Sequence, residues 1–522
     1  MTDIIDGLAA FVGRDNVAAD PASLEEYAQD ESFVPPLTPW AVVRPGSAEE
    51  IQQVVAWANE TATALVPVSS GGPHFHGDTV PSVPGAVMLD LRRLDKILRI
   101  DRRNRMVVIE PGVTYPQLQT ALSEHGMRVT PPLLPRAGKS VVASLLERQP
   151  TLIPRYNFHL PEPLRSCGVV WGSGETMFTG EAGTGPESLE AQWQAGGVQA
   201  DPKGPAQTDF FRLLTGAQGS MGVVTWAAVK CELVPAAHEL AFVTAAELDE
   251  LVDFTYRLDR VRLGDEVLIV NDAYLARLLA SRDGVKVEPD ELPTWTLVLG
   301  LGGREYFAAE RVEVQKKDAA ALAGEFSLTL QPSISGASTG DIAAALAGCC
   351  ETPWKLAAEG ACADVFFVST LEEAPAFVEI AHIVADDHGY AAEDVGVYIQ
   401  PQHQGVTHHV EFSLPYNASD PATAEDMKDL CDDLAANLMA AGAYFSRPYG
   451  SWAQPVYNRD AAARDALRKV KAIFDPAGVM NPGKLCFGPP TATPALVGNE
   501  RPQVTALRDV HGAAASHERE EA

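Results

Sequence analysis

Three short stretches concentrate side chains that could do chemistry. Residues 66–81, "VPVSSGGPHFHGDTVP", set two adjacent glycines, two serines and two histidines between two apolar runs. A turn needs at most two glycines, so this loop is longer and richer in donors than a turn requires. Without a Cβ to block approach, backbone N–H groups at Gly71, Gly72 and Gly77 could wrap an anion such as a phosphate, with Ser69 and Ser70 adding hydroxyl donors. Residues 398–417, "YIQPQHQGVTHHVEFSLPYN", hold His403, His408, His409 and Glu411 within nine positions. On a strand, His409 and Glu411 share one face while His408 points to the other. Such a pair suits acid–base work or a metal, against the plainer alternative of a hydrogen-bonded strand histidine. Residues 442–458, "GAYFSRPYGSWAQPVYN", crowd Tyr444, Arg447, Tyr449, Trp452 and Tyr457 together. Arginine stays charged and forks onto oxyanions, so an arginine among aromatics could hold a carboxylate or another oxyanion; the alternative is interdomain packing.

The elements that must position these groups alternate in the first third of the chain. "WAVVRPGS" reads as a strand. Ser47 is a fitting N-cap for "SAEEIQQVVAWANE", whose Ile51, Val54, Val55 and Ala58 recur at helical spacing. "TALVPVSS" is a second strand, so the glycine loop closes a βαβ-like unit. "RMVVIEPGVTYPQLQTALSEHG" repeats the pattern, with a helix starting near Tyr115. The loop is neither GxGxxG nor a Walker loop with its lysine, which disfavours a nicotinamide Rossmann domain and a P-loop NTPase. Residues 165–235 are strand-rich, except that 180–208 reads as a long surface loop. From about 236 to 445, amphipathic helices such as "ELDELVDFTYRLDRVR" mix with strands such as "TWTLVLGL" and "ADVFFVS", as in a second α+β domain. A helix returns in "NRDAAARDALRKVKAIFD" before the turn-rich "DPAGVMNPGK".

The totals narrow the class. A chain of 522 residues implies two or three domains. With 40 Lys and Arg against 70 Asp and Glu, the formal charge is −30, which disfavours nucleic acid and anionic membranes as partners. The same charge serves solubility, or could meet a basic electron-transfer partner. Seven cysteines without a CxxC pair signal neither a zinc site nor an iron–sulfur cluster and suit a reducing compartment. The acidic N-terminus is unlike a signal peptide, and no apolar run approaches the ~20 residues that span a bilayer, so a soluble cytoplasmic protein is expected.

In that order, "PWAVVRPGSAEEIQQVVAWANE", "PVSSGGPHFHGD", "MLDLRRLDKILRIDRRNRMVVIEPGVTYPQLQTAL", "DFFRLLTGAQGSMGVVTWAAVKCELVP" and "FDPAGVMNPGKL" form a series. It resembles the FAD-binding, PCMH-type oxidoreductases of the vanillyl-alcohol oxidase and 4-cresol dehydrogenase family, over roughly residues 38–235 and 455–487. The resemblance implies an α+β fold: a two-part FAD-binding PCMH-type domain (1–235, resumed at 451–490) with an inserted α+β substrate (cap) domain (236–450). A flexible tail (491–522) would follow. It also implies that the glycine loop, Ser69, Ser70, Gly71, Gly72, Pro73, His74, Phe75, His76 and Gly77, wraps the FAD pyrophosphate. A second loop carrying Pro132, Gly138 and Ser140 would pass near the flavin, and Gly219, Ser220, Gly222, Val223 and Val224 would pack along the cofactor. Asn481 and Lys484 fall in the family's C-terminal FAD-contacting segment. Relatives with covalent flavin often read R-S-G-G-H, whereas Pro73 stands at the histidine position here, which favours non-covalent FAD; attachment through His74 or a cap residue stays open.

The implied activity is that of an FAD-dependent oxidase or dehydrogenase taking hydride from a small alcohol, phenolic or hydroxy-acid substrate to flavin N5. Arg447, Tyr444, Tyr449 and His409 are the expected catalytic and substrate-binding residues, without a metal. Electrons would pass on to dioxygen or a protein acceptor, and a homodimer would be in keeping with the family. The alternatives are a metal-assisted dehydrogenase of D-lactate or glycolate type, and a non-catalytic flavin-fold subunit of a larger complex.

Overall fold

A computed structural model describes residues 2–153, 163–186, 188–206, 209–281 and 287–488. Met1–Phe487 form one compact unit; the expected tail at 491–522 lies outside the described residues. Three larger sheets and a two-stranded ladder, Met127–Arg128 with Glu232–Leu233, organise the described residues.

The first sheet runs Val17–Ala18, Ala41–Val43, Val87–Asp90 and Leu65–Val68 in spatial order, the last three mutually parallel. The helix Ala48–Thr61 forms as its sequence dictates: the Ser47 hydroxyl accepts from the Glu50 N–H, and Ile51, Val54, Val55 and Ala58 turn inward. Those four join Ala41, Val43, Leu65, Val87 and Leu89 in one core. Strand Leu65–Val68 thereby aims the glycine loop outward from a rigid base.

The second sheet is antiparallel: Ile97–Asp101, Met106–Ile109, Gly222–Lys230, Leu164–Trp171 and Thr176–Phe178. The helix Ala461–Phe474 leans Leu467, Val470 and Phe474 on its core, so the C-terminal part of the chain returns to the N-terminal sheets. Met480 then bridges to Leu65.

The stretch expected as a long surface loop, 180–208, is more ordered than its Gly, Pro and Gln content suggests. Ser188 caps a short helix, Leu189–Gln194, and Gln192 and Gln199 are buried. Their amides satisfy each other and nearby carbonyls, which removes the cost of burying them.

The third sheet is six-stranded and antiparallel: Ala237–Ala245, Trp295–Gly303, Val267–Asn271, Gly396–Gln402, Thr407–Asn417 and Gly360–Ser369 in spatial order. Strand alternation divides its residues cleanly. One face, with Val365, Phe367, Val397, Ile399, Val410, Phe412 and Leu414, packs on helices Asp249–Val261, Ala308–Glu325, Ala374–Asp387 and Pro421–Ala441. The other face carries Asp364, Phe366, Tyr398, His409 and Glu411. Register sets Glu411 directly between Phe366 and Tyr398.

Candidate active site

Between the glycine loop and this polar sheet face lies a cleft of about 1820 Å³, open solvent at its mouth included. Its lining runs from the glycine loop at one end to the sheet residues Tyr398, Glu411 and Arg447 at the other.

One wall is backbone-rich. Ser69 and Ser70 line it, and the Ser70 hydroxyl accepts from the Ser140 N–H at 3.1 Å. The Gly71 N–H donates to Gly138 O at 2.9 Å, so the two loops meet backbone to backbone; a Cβ on Gly138 would lie 3.5 Å from Gly71 Cα. A Cβ on Gly72 would face open space. The Arg136 guanidinium donates twice to Gly71 O, at 3.0 and 2.9 Å, and itself lines the cleft. Lys139 Nζ holds both oxygens of Glu147, at 2.5 and 2.7 Å. Burial, with Glu147 nearby, pushes the Asp78 carboxyl up to about 7. A glycine loop backed by the half-buried Arg136 guanidinium fits the diphosphate of FAD.

The other wall comes from the six-stranded sheet and its flanking turns. Lys355, in the turn Trp354–Leu356, reaches Asp364 at 2.7 Å and Glu411 at 2.6 Å. Burial opposes the charge on Lys355, but the two carboxylates outweigh it and hold its pKa above the ordinary lysine value. The Tyr274 hydroxyl donates to Glu411 at 3.0 Å, and His409 Nε2 lies 3.3 Å from the same carboxylate. Burial lowers the His409 pKa, so the neutral ring is favoured.

Arg447 sits beside this group, buried, with its guanidinium 4.2 Å from the centre of the Phe366 ring. Among the described residues it makes no hydrogen bond and no ion pair, and it lines the cleft. Tyr449 lines it too, and burial followed by the charges of Glu147 and Asp78 holds its phenol protonated. His76 stacks on Tyr449 with ring centres 4.6 Å apart and meets Phe366 edge-on at 5.4 Å. Burial pushes His76 down to about 3, so it is neutral.

The expected residues therefore divide. Ser69, Ser70, His74, Phe75, His76, Pro132, Gly219, Gly222, Val223, Val224, Arg447 and Tyr449 line the cleft. Gly71, Gly72, Pro73, Gly77, Gly138, Ser140 and Ser220 shape its loops without lining it. Asn481 and Lys484 brace the glycine loop from behind: Asn481 donates to Asp78 O and Gln218 O at 2.8 and 2.7 Å, and Lys484 to Gly77 O and Val80 O at 2.6 and 2.7 Å. His409 touches the site through Glu411. Tyr444 lies outside it, because exchanging backbone hydrogen bonds with Val368 leaves its side chain 62% exposed. Lys355, Asp364, Tyr274 and Tyr398 are additions that the sequence did not single out; Lys355 bonds both carboxylates of the group.

Residues 39–146 match the family model described as FAD binding domain, and residues 234–485 the one described as FAD linked oxidases, C-terminal domain. The chain belongs to the FAD-linked oxidoreductases and is an FAD-binding enzyme. An uncharacterized FAD-linked oxidoreductase of Mycobacterium tuberculosis is 25% identical over 502 residues, 94% of this chain and 100% of that one. Among solved structures, a 4-ethylphenol oxidase of Gulosibacter chungangensis superposes with a TM-score of 0.76 at 21% identity, over 94% of this chain and 97% of that one. A p-cresol methylhydroxylase gives 0.76 at 19% identity, over 93% and 97%. The α+β, PCMH-type fold is thereby confirmed. Among the described residues no helix is long and apolar enough to cross a membrane.

Proposed function

We propose that this enzyme oxidises a small substrate that presents an anionic or hydroxyl oxygen to Arg447, a phenol being favoured over an aliphatic alcohol or hydroxy acid. The carrying observation is the unpaired, buried Arg447 at the cap end of the cleft. A desolvated guanidinium is costly without a partner, so the site is built for an oxyanion to complete it. Phe366, Tyr398 and Trp354 line the space beside it and suit a flat ring. The 4-ethylphenol oxidase of shared fold is in complex with isoeugenol, which supports the phenolic reading.

FAD, when bound, supplies the two-electron acceptor. Ser69, Ser70 and Arg136 would hold its polar parts. Arg447 and the protonated Tyr449 orient the substrate oxygen and stabilise negative charge on it, which raises electron density at the carbon to be oxidised. With both carboxylates ionised, the Asp364–Lys355–Glu411 group carries one net negative charge and can take a proton released from the substrate.

The test is anaerobic mixing of the FAD-loaded protein with 4-alkylphenols, primary alcohols and 2-hydroxy acids, following loss of flavin absorbance. Phenols should bleach it, and Arg447→Ala should lower kcat/KM by roughly 10²-fold or more while FAD content is retained. An Arg447→Ala enzyme as fast as the wild type would overturn the reading.

A further inference from the structure

The short helix Val141–Leu146 connects the two ends of the cleft. At its start the Ser140 N–H bonds the Ser70 hydroxyl of the glycine loop. Just past its end, Arg148 donates to Ser446 O at 2.8 Å, one position before Arg447. Six helical residues separate those two points by roughly 9 Å. The helix closes in a Schellman turn, with the Gln149 N–H on Ser144 O and the Arg148 N–H on Leu145 O, each at 3.1 Å. Such a turn favours glycine at its left-handed position, yet Arg148 occupies it with φ +55. The bond to Ser446 holds Arg148 in that strained conformation, and the next residue, Gln149, lines the cleft.

A chain of hydrogen bonds sets which end of the Gln149 amide faces inward. The Tyr115 and Ser144 hydroxyls lie 2.9 Å apart, and Ser144 Oγ lies 2.7 Å from Gln149 Oε1. Both Tyr115 and Ser144 are buried, so neither hydroxyl can turn to water. Burial also keeps the phenol protonated. Among the described residues the Tyr115 hydroxyl has no other partner, so its proton goes to Ser144. The Ser144 proton must then go to Gln149 Oε1, which commits that oxygen as an acceptor. The NH₂ group is left as the end free to donate, and among the described residues nothing accepts from it.

We infer that Gln149 donates a hydrogen bond to an acceptor atom on the flavin ring of FAD, and that Ser144 and Tyr115 are positioning residues acting through it. The diphosphate belongs at the glycine loop, a helix length away. The ring end of FAD must extend from there toward the substrate, past Gln149. That direction rests on the reading of Arg447 as the substrate end; the orientation of the amide does not. A donor fixed before the ring is reduced needs no reorganisation, so it favours the form that carries more negative charge, which is the reduced one.

The measurement is the midpoint potential of the FAD-loaded protein, by anaerobic reductive titration against a reference dye. Gln149→Leu keeps the volume and removes the donor. The preference for reduced over oxidised FAD should fall roughly tenfold, the loss of one hydrogen bond to a charged acceptor. For a two-electron couple that is a potential lower by about 30 mV. Ser144→Ala takes no side chain from the cleft lining but frees the amide to rotate, so its potential should fall in the same direction by less. Should Gln149→Leu fail to retain FAD, Ser144→Ala carries the test alone. A wild-type potential in Gln149→Leu overturns the inference, and so does a Ser144→Ala potential that is unchanged or raised. Unmoved potentials together with a slow Arg447→Ala enzyme sink this inference and leave the Arg447 reading standing. Lowered potentials with an Arg447→Ala enzyme as fast as the wild type do the reverse.

Discussion

Lys355 Nζ stands 2.6 Å from Glu411 Oε1, joining a turn and a strand 56 residues apart. The same ammonium holds Asp364 at 2.7 Å. Lys355→Met therefore leaves two buried carboxylates facing each other without a cation. Breaking a buried pair from one side costs about 3–5 kcal/mol, and the stranded acids take up protons to reduce that cost. Their folded-state pKa values then rise above the unfolded ones, so stability is retained at low pH and lost as pH climbs through the raised values. Urea midpoints of Lys355→Met should fall further below wild type at pH 8 than at pH 5. A loss that is equal at both would mean that the lysine acts through packing alone.

Pro73 bears on the cofactor. The position where related sequences often carry a flavin-linked histidine holds a residue with no nucleophile, and His74 Nδ1 faces the Arg136 guanidinium at 3.5 Å. Acid precipitation should release the yellow colour into the supernatant. Colour retained in the pellet would put a covalent link at His74 or a cap residue.

Gly219 tests the base of the cleft. Its φ of +69 already disfavours a side chain, and a Cβ would lie 2.5 Å from Pro67 Cγ, on the strand that launches the glycine loop. Gly219→Ala should cost on the order of 1–3 kcal/mol and weaken FAD binding, since Pro67 and Gly219 both line the site. Equilibrium dialysis of FAD at wild-type affinity would show that the loop shifts without consequence.

Much of this was readable from local pattern. Ser47 with Ile51, Val54, Val55 and Ala58 announces its helix, and strand alternation alone puts His409 with Glu411 and away from His408. Arg447 and Tyr449 reach the cleft, as their company of aromatics suggested. Proximity in sequence misleads at Tyr444, three residues from Arg447 yet facing solvent, because a bridge to Val368 fixes the backbone there. Lys355 and Asp364 gave no local signal: their meaning comes from sheet register and a distant turn, which no short motif encodes. His76 looked like part of a phosphate loop, and only the fold shows it stacked on Tyr449, against Phe366 of the six-stranded sheet.

His408 and Asp259 offer a test on the far face of the same sheet. His408 Nε2 lies 3.9 Å from Asp259 Oδ2, and among the described residues none of their side-chain nitrogen or oxygen atoms has a hydrogen-bond partner. Burial pushes Asp259 up to about 7 and His408 down to about 3, so both prefer to be neutral. For Asp259 the folded state holds its proton longer than the unfolded one, so its stability contribution is full below about 4 and is lost as pH rises toward 7. For His408 the unfolded state protonates first, so its contribution is full above about 6.5 and is lost as pH falls toward 3. Between pH 4 and 6.5 the two slopes oppose each other in the wild type. Asp259→Asn leaves the histidine term, and its stability should rise with pH relative to wild type by about 1.4 kcal/mol per unit at most. His408→Gln leaves the aspartate term and should show the opposite slope. Chemical denaturation at pH 4.5, 5.5 and 6.5 decides it, and a variant whose slope has the opposite sign, or none, would show that burial does not hold the remaining group neutral.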